Sequence, residues 1–422
     1  MHSNRLRIAY GALIIMLCVV LAGCGASNSN AAETAAPAQT AQPAQTDMAQ
    51  GEETILSPSP ASPPASEKQP GAPAPAVSVM VINVGYGDAI LIQLDGQNFL
   101  IDTGARSAAL PLLRALALSG VDKLDAVFLT HIHNDHVGGL EELAQHYEIR
   151  QIYAAQITQD RAKINKLAGK LSLPLSRLSA GDMVETVSGP VFEVLGPIVF
   201  NDVDDNDNSL VLRLRAGGYT WLFTGDMQFD QEASLINADV DLAADVLKVG
   251  NHGNPDATSQ AFAAAVSPQL AVISTSTDVK AHSANERVMV ALSGARIFIT
   301  QDFAIGVMMT ANGEGTLDVT NPQPPPPQAD MTVSYDPDAQ TATLAADKDA
   351  DLSGWILYSQ RGGGLYVFPS GAAIKAGETL TVACRGGDGD FIWNEKKVWS
   401  RKAGEAAVLY DSSGAKAARS PG

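Results

Sequence analysis

Residues 124–139 read LDAVFLTHIHNDHVGG, an apolar run that ends abruptly in a cluster of polar side chains. The run at 127–129 is short, apolar and partly β-branched, which predicts a buried strand. From residue 141 onward the pattern predicts a helix. The polar residues therefore fall in the turn at the carboxyl end of a strand, where α/β proteins build their sites.

The turn contains His131, His133, Asp135 and His136 within six positions. The first two histidines alternate along the chain and can point the same way, and the other two residues return from the start of the helix. Imidazole and carboxylate together suit zinc or a similar divalent metal. The alternative is a surface turn that is histidine-rich by chance. Because the chain has seven histidines and three lie here, we favour a metal site.

The spacing H-x-H-x-D-H followed by two glycines resembles that of the metallo-β-lactamase superfamily. Other motifs narrow the resemblance to the hydrolase domain of the ComEC type, from competence DNA-uptake channels. They are NVGYGDAILI at 83–92, LIDTG at 100–104, NSLVL at 208–212 and LFTGD at 222–226. The resemblance covers about residues 77–320. It implies an αββα sandwich, and the alternation of strand and helix patterns also predicts an α/β fold.

The resemblance implies six metal ligands: His131, His133, Asp135, His136, Asp226 and His252. The first two would bind one metal, Asp226 would bridge both metals, and the others would complete the second site. Asp135 is also the predicted catalytic carboxylate. Because the ligands follow separate apolar runs, one rim of the sheets could gather them.

Further residues are expected around these ligands. Asp102 would orient a ligand from behind, a role that metal sites commonly need. Asn208 and Ser209 stand in the region where the superfamily usually has another histidine, and we expect them beside the ligands. His282 is either at the edge of the site or an exposed histidine at a helix start.

The chain departs from the family pattern at two places. No histidine lies between His146 and His252, and Asn251 stands where the ComEC-type branch has the first of two histidines. Asparagine is a weak zinc ligand. We therefore leave open whether one or two ions bind, and whether the ion is zinc or manganese.

Such a site predicts hydrolysis through metal-bound hydroxide. By resemblance, the substrate would be a phosphodiester, and the protein a phosphodiesterase or nuclease. Lys248 could neutralise an anion, but we expect a solvated strand lysine. A surface adhesion or scaffold protein with a degenerate hydrolase domain is the alternative. Hydrolysis of β-lactams is less favoured.

The charge of the chain does not favour a simple nuclease. Its formal net charge is −18, and the hydrolase region has no obvious basic stripe, whereas non-specific DNA affinity comes mostly from cationic contacts with phosphates. Divalent ions could screen the repulsion between the acidic domain and the phosphates, another module could bind the nucleic acid, or the substrate could be small.

The amino-terminal residues predict export. Residues 1–24 combine a basic start with a short apolar stretch, and Leu21-Ala22-Gly23-Cys24 resembles a bacterial lipobox. We expect lipid on Cys24 and anchoring to the outer face of the cell membrane. Residues 25–76, rich in Ala, Pro, Ser, Gln and Thr, would form a disordered tether.

A proline-rich linker at 321–330 precedes a second predicted domain at 331–418. Short strand patterns there predict an all-β fold. The motifs DLSGW at 351–355 and YVFPSG at 366–371 resemble a lamin-tail domain, which implies an immunoglobulin-like sandwich and a possible cell-surface partner. Basic residues at 396–402 near Trp393 and Trp399 are either a nucleic-acid or surface contact or a solvated hairpin tip. Cys384 has no expected partner, and the oligomeric state stays open.

Overall fold

The computed structural model describes residues 76–421 except residues 188 and 314. The predicted export signal, the lipidation site Cys24 and the tether up to residue 75 lie outside the described residues. The described residues form one compact unit. In the part of the chain that the structure describes, no helix combines the length and the apolar character that a bilayer crossing requires.

The amino-terminal part alternates strands with helices. Its strands are β1 (Val77–Ile82), β2 (Ile90–Leu94), β3 (Gln97–Ile101), β4 (Lys123–Leu124), β5 (Ala126–Leu129), β6 (Glu148–Ile149), β7 (Ile152–Ala155), β8 (Leu175–Leu178), β9 (Met183–Glu185), β10 (Val191–Gly196), β11 (Val211–Ala216), β12 (Tyr219–Phe223), β13 (Val246–Lys248), β14 (Leu270–Ile273), β15 (Arg296–Ile299), β16 (Gly306–Ala311) and β17 (Leu317–Thr320). Its helices are α1 (Ala109–Leu118), α2 (Asn134–Val137), α3 (Leu140–His146), α4 (Arg161–Leu171), α5 (Phe229–Asn237), α6 (Gln260–Val266) and α7 (Glu286–Ala291).

The larger strands form two sheets. The first has the order β17-β16-β1-β2-β3-β5-β7-β8, and the second β15-β14-β13-β12-β11-β10-β9. Alternate residues of the two sheets, such as Val79, Phe128 and Trp221, meet in one buried cluster between them. Because successive side chains of a strand point to opposite faces, the other residues cover the outer faces.

Helices cover both outer faces. Leu116 of α1 and Ile164 of α4 pack on the outer face of the first sheet, and Leu235 of α5 and Phe262 of α6 pack on that of the second. The layers therefore run helix, sheet, sheet, helix. The predicted α/β sandwich is confirmed.

Several strands were not predicted from the sequence. They are β4, β6, β7, β8, β9, β16 and β17. The sequence of β16 is GVMMTA, and glycine and methionine give little strand signal. Its pairing with β1 along the whole strand stabilises it instead, so tertiary context outweighs local propensity.

The carboxyl-terminal part is all-β, as predicted. Its strands are β18 (Met331–Asp336), β19 (Thr341–Ala346), β20 (Ala350–Asp351), β21 (Ile356–Ser359), β22 (Leu365–Val367), β23 (Ala373–Ile374), β24 (Thr379–Cys384), β25 (Phe391–Trp393), β26 (Ala407–Tyr410) and β27 (Lys416–Arg419). The sheets β18-β19-β24-β25 and β22-β21-β26-β27 enclose one core. Its likeness to a lamin-tail domain stays a prediction.

The predicted basic and aromatic cluster does not form a continuous surface. Trp393 and Trp399 lie in the core of the β-sandwich, and Arg401 pairs with Asp338. The indoles are therefore not available to stack on a base. The solvated alternative fits this segment better.

The β-sandwich packs on α1. Nε of Arg114 donates to the carbonyl oxygen of Gly414 at 2.9 Å, and its guanidinium lies 4.5 Å from the centroid of the Tyr410 ring. Ile356 joins the apolar cluster that contains α1. The two parts therefore share a packed interface.

Candidate metal centre

The ends of four strands deliver the polar residues to one rim. Asp102 follows β3, His131 follows β5, Asp226 follows β12 and His252 follows β13. β3 and β5 pair in parallel, as do β12 and β13. Carboxyl ends of neighbouring parallel strands meet at one edge of a sheet, so these side chains are gathered by topology.

Four ionisable side chains converge there: Asp135, His136, Asp226 and His252. Oδ2 of Asp226 lies 3.1 Å from Nε2 of His136 and 3.1 Å from Nε2 of His252. Oδ2 of Asp135 lies 3.6 Å from the same nitrogen of His252. One atom from each residue lies within 4.8 Å of the others, which is the spacing of ligands around one ion.

His131 and His133 lie beside this cluster. Nε2 of His131 is 2.9 Å from Nδ1 of His133 and 3.9 Å from Oδ2 of Asp226. The two imidazoles are not part of the four-residue group. The four-residue group thus lies at one position, and the imidazoles of His131 and His133 lie beside it. The superfamily usually has a further histidine before the bridging aspartate, and this sequence lacks it.

Asp102 supports His136 from behind. Its Oδ2 lies 2.8 Å from Nδ1 of His136. Thr130 donates to the same carboxylate through its backbone N–H at 2.8 Å and its hydroxyl at 2.7 Å. These contacts leave Nε2 of His136 facing Asp226, an arrangement that orients a metal-binding imidazole.

Burial and mutual charge shift the pKa values of these groups. Burial alone would lower the pKa of His136, but the carboxylates of Asp226 and Asp102 raise it to about 10. Burial would raise the pKa of Asp226, yet His136 and His252 hold it well below its ordinary value. Burial lowers the pKa of His131, and the charge of His136 lowers it further.

Three buried atoms at the centre have no hydrogen-bond partner among the described residues. They are Nε2 of His136, Nε2 of His252 and Oδ1 of Asp226. Buried polar atoms are nearly always bonded. Both Nε2 atoms face the Asp226 carboxylate, and all three atoms are of the nitrogen and oxygen types that divalent metals take as ligands. The residues therefore fit a metal ion.

The two residues expected in place of a histidine differ in role. Oγ of Ser209 lies 3.3 Å from Nδ1 of His131, so Ser209 contacts a ligand. The side chain of Asn208 instead donates to the carbonyl oxygen of Asn201 at 2.8 Å and to Asp205 at 2.9 Å. Asn208 therefore holds a loop together, and its printed hydrogen bonds go to Asn201 and Asp205 rather than to a predicted ligand. Its expected supporting role stays a prediction.

His282 is exposed, and its side chain has no polar partner in the described ranges. Its segment does border the site, since the backbone N–H of Ala284 donates to the carbonyl oxygen of His252 at 3.2 Å. The structure thus places His282 near the rim without a contact to a ligand.

Lys248 is not solvated, contrary to expectation. Its Nζ lies 2.6 Å from Oδ2 of Asp88, and both side chains are buried. Oδ1 of Asp88 accepts from the hydroxyl of Ser274 and lies 3.4 Å from Nδ1 of His252. A buried ion pair therefore stands directly behind a predicted ligand.

Sequence reasoning did not single out Tyr86. Its ring centroid lies 4.2 Å from that of His252, and burial raises the pKa of its phenol. The signal was the pair of flanking glycines, Gly85 and Gly87, which mark a tight turn. Both have positive φ.

The turn that carries His252 has an uncommon backbone. Asn251 has φ 42° and His252 has φ 54°. Positive φ is rare outside glycine, and such conformations persist where surrounding contacts maintain them. Nδ1 of His252 contacts the carbonyl oxygen of Ser274 at 2.9 Å, which helps to hold its ring.

The family model of the metallo-β-lactamase superfamily matches residues 82–277. ComE operon protein 3 of Bacillus subtilis (strain 168) is 28% identical over 232 residues, covering 50% of this chain and 30% of that protein. Competence protein ComA of Neisseria gonorrhoeae is 33% identical over 202 residues, covering 47% and 27%. Hydroxyacylglutathione hydrolase of Salmonella paratyphi B is 39% identical over 72 residues, covering 17% and 27%.

The chain spans less than a third of the length of these relatives. Among solved structures, the metallo-β-lactamase fold protein YhfI from Bacillus subtilis is 17% identical to this chain, with a TM-score of 0.38. The alignment covers 56% of this chain and 99% of YhfI. The matched motifs and the converging side chains lie in the same segment, and residues 82–277 match the model of the metallo-β-lactamase superfamily.

Proposed function

We propose that this domain hydrolyses a phosphodiester, with nucleic acid as the substrate class. The observation that carries the proposal is the convergence of Asp135, His136, Asp226 and His252 on one point. A divalent metal held there, which we propose to be zinc, would supply a nucleophile from water at neutral pH and polarise the phosphoryl group. The resemblance to competence proteins supports the substrate class.

The residues of the chain hold this centre ready before substrate arrives. Asp102 and the carbonyl of Ser274 contact the Nδ1 atoms of His136 and His252. Both Nε2 atoms therefore face Asp226 without rearrangement. Groups that need no reorganisation during the reaction stabilise developing charge most effectively.

Two lysines near the candidate metal centre favour an anionic substrate, although the chain as a whole is acidic. Nζ of Lys163 contacts the carbonyl oxygen of Ile132 and lies 3.3 Å from Oδ1 of Asn134. Nζ of Lys280 lies 5.6 Å from the centroid of the Tyr86 ring. Local cations can attract a phosphate where the net charge of the protein does not.

The test is turnover of bis(p-nitrophenyl) phosphate by the purified full-length protein. We expect turnover that a chelator abolishes and a divalent ion restores, and that Asp226→Ala and His252→Ala each lose. His146→Ala is the matched control, because His146 lies on α3 and pairs with Glu142. Absence of turnover by the metal-loaded wild type, or full activity in His252→Ala, would favour the scaffold alternative.

We also propose that the protein is exported and anchored by lipid on Cys24, with a lamin-tail-like sandwich as a module for a cell-surface partner. The lipobox-like motif and the strand pattern of the second domain support these points. Incorporation of labelled fatty acid into the wild type and not into Cys24→Ser tests the anchor. Equal labelling of both proteins would rule out Cys24 as the lipid site.

A further inference from the structure

The loop between β1 and β2 is pressed against the metal centre. Gly87 has φ 142°, and a Cβ atom built there would lie 2.5 Å from the carbonyl oxygen of Asp135. The backbone N–H of Asp88 donates to that oxygen at 3.2 Å. Backbone contact therefore fixes Tyr86, the residue just before Gly87, relative to the ligand turn.

The ring of Tyr86 lies on a ligand. Its centroid is 4.2 Å from that of His252, with 48° between the ring planes. Tyr86 is half-buried, so one part of its side chain packs inward and another part meets solvent. A phenol in this position lies at the boundary between the metal centre and the solution.

A chain of amides orients the phenol. Nδ2 of Asn254 donates to the hydroxyl of Tyr86 at 3.0 Å and to Oδ1 of Asn251 at 3.1 Å. Nδ2 of Asn251 in turn donates to Asp256 at 3.0 Å. The bond from Asn254 uses a lone pair of the phenol oxygen and leaves its proton free, so the O–H of Tyr86 is available to donate. No acceptor for that proton is found in the described part of the chain.

The ammonium of Lys280 brings a positive charge to the same ring. It lies 5.6 Å from the centroid, and Lys280 is exposed. An available O–H donor and an exposed cation at the edge of the candidate metal centre form a suitable environment for an anionic oxygen.

We infer that Tyr86 contacts the substrate, and that its O–H donates a hydrogen bond to a non-bridging oxygen of a phosphate group at the metal centre. The inference rests on the proposed phosphodiester function for its substrate. The contact is a hydrogen bond and transfers no proton, so Tyr86 stays a neutral phenol throughout. Lys280 adds charge attraction to the same phosphate.

Tyr86→Phe is the direct test, because it removes the O–H and keeps the ring on His252. Tyr219→Phe is the matched control, since the Tyr219 hydroxyl bonds the carbonyl of Gly315, away from the ligand residues. Calorimetric titration of the metal-loaded full-length protein with inorganic phosphate should show binding weakened on the order of 10- to 100-fold in Tyr86→Phe and unchanged in Tyr219→Phe. Metal content should be the same in all three proteins.

Equal phosphate affinity in the wild type and Tyr86→Phe would overturn the inference, as would loss of metal from Tyr86→Phe, which would indicate a structural role. A second readout compares kcat for p-nitrophenyl and phenyl diesters. A contact with a non-bridging oxygen predicts the same loss for both substrates. A loss that grows for the poorer leaving group would show that Tyr86 acts on the leaving oxygen instead.

The two proposals fail separately. If the wild type turns over no phosphodiester but Tyr86→Phe still weakens phosphate binding, the proposed reaction is wrong and Tyr86 remains an anion contact. If the wild type is active and Tyr86→Phe changes neither binding nor kcat, only the inference about Tyr86 is wrong.

Discussion

Nζ of Lys248 lies 2.6 Å from Oδ2 of Asp88, and each side chain is only 1% exposed. The second oxygen of Asp88 lies 3.4 Å from Nδ1 of His252. The pair thus joins the loop after β1 to the end of β13 immediately behind a metal ligand. Its integrity affects both the stability of the rim and the placement of the imidazole.

Lys248→Met should destabilise the metal-free protein strongly. The substitution leaves the Asp88 carboxylate buried without its cation, which costs about 3–5 kcal/mol. Removing both charges in Asp88→Asn/Lys248→Met should recover much of that loss, because a buried pair and an apolar replacement are often similar in energy. Urea denaturation measures both variants. If Lys248→Met alone were as stable as the wild type, the ion pair would not contribute to stability as predicted.

Asp102→Asn should weaken metal binding while the fold is retained. The amide cannot hold Nδ1 of His136 as the carboxylate does, and loss of such a supporting contact typically lowers metal affinity about 10- to 100-fold. Competition with a chelator measures the change. Asp349→Asn is the control, since that carboxylate is exposed and pairs with Lys375. The account of Asp102 fails if both variants hold metal like the wild type.

Gly87→Ala should impair metal binding more than Gly85→Ala. Both glycines have positive φ, but an added Cβ at Gly87 meets the carbonyl oxygen of Asp135 at 2.5 Å, whereas at Gly85 it meets open space. The first substitution must therefore displace the ligand turn, and the second adds only local backbone strain. Metal affinity of both variants, measured side by side, tests the prediction. Equal affinities would contradict it.

Metal binding should release protons at neutral pH. Asp226 and Asp102 outweigh burial and raise the pKa of His136 to about 10, so the metal-free site holds a proton that the metal must displace. Affinity should therefore increase as the pH rises from 7 toward that value. In the metal-free protein, the same raised pKa contributes stability below the ordinary imidazole pKa, and this stability is lost as the pH rises through about 10.

Calorimetry in two buffers of different ionisation enthalpy measures the number of protons released at pH 7. The observed heat should depend on the buffer and correspond to about one proton or more per metal bound. Identical heats in both buffers would show that the ligands are already deprotonated.

The residues of the candidate site could be singled out because their signal is local. His131, His133, Asp135 and His136 lie in one short turn after an apolar strand, and the strand predicted at 127–129 lies within β5, Ala126–Leu129. Asp226 could be placed in the same way, because it also ends an apolar run.

The supporting residues could not be predicted, because their partners are distant in sequence. Asp88 belongs to the loop after β1 and Lys248 to β13. The local sequence pattern of either stretch does not indicate a contact with the other. The separate contacts of Asn208 could not be predicted for a different reason. Its neighbour Ser209 faces His131, and two adjacent residues of a turn cannot both be assigned the same direction from sequence alone.

Metal content of the full-length protein tests the central claim most directly. Elemental analysis after dialysis should find at least one tightly held divalent ion per wild-type chain. That ion should be absent from His252→Ala and from Asp226→Ala and still present in His146→Ala. A wild-type protein that retains no divalent ion, or a His252→Ala variant that retains it as firmly as the wild type, would contradict the account.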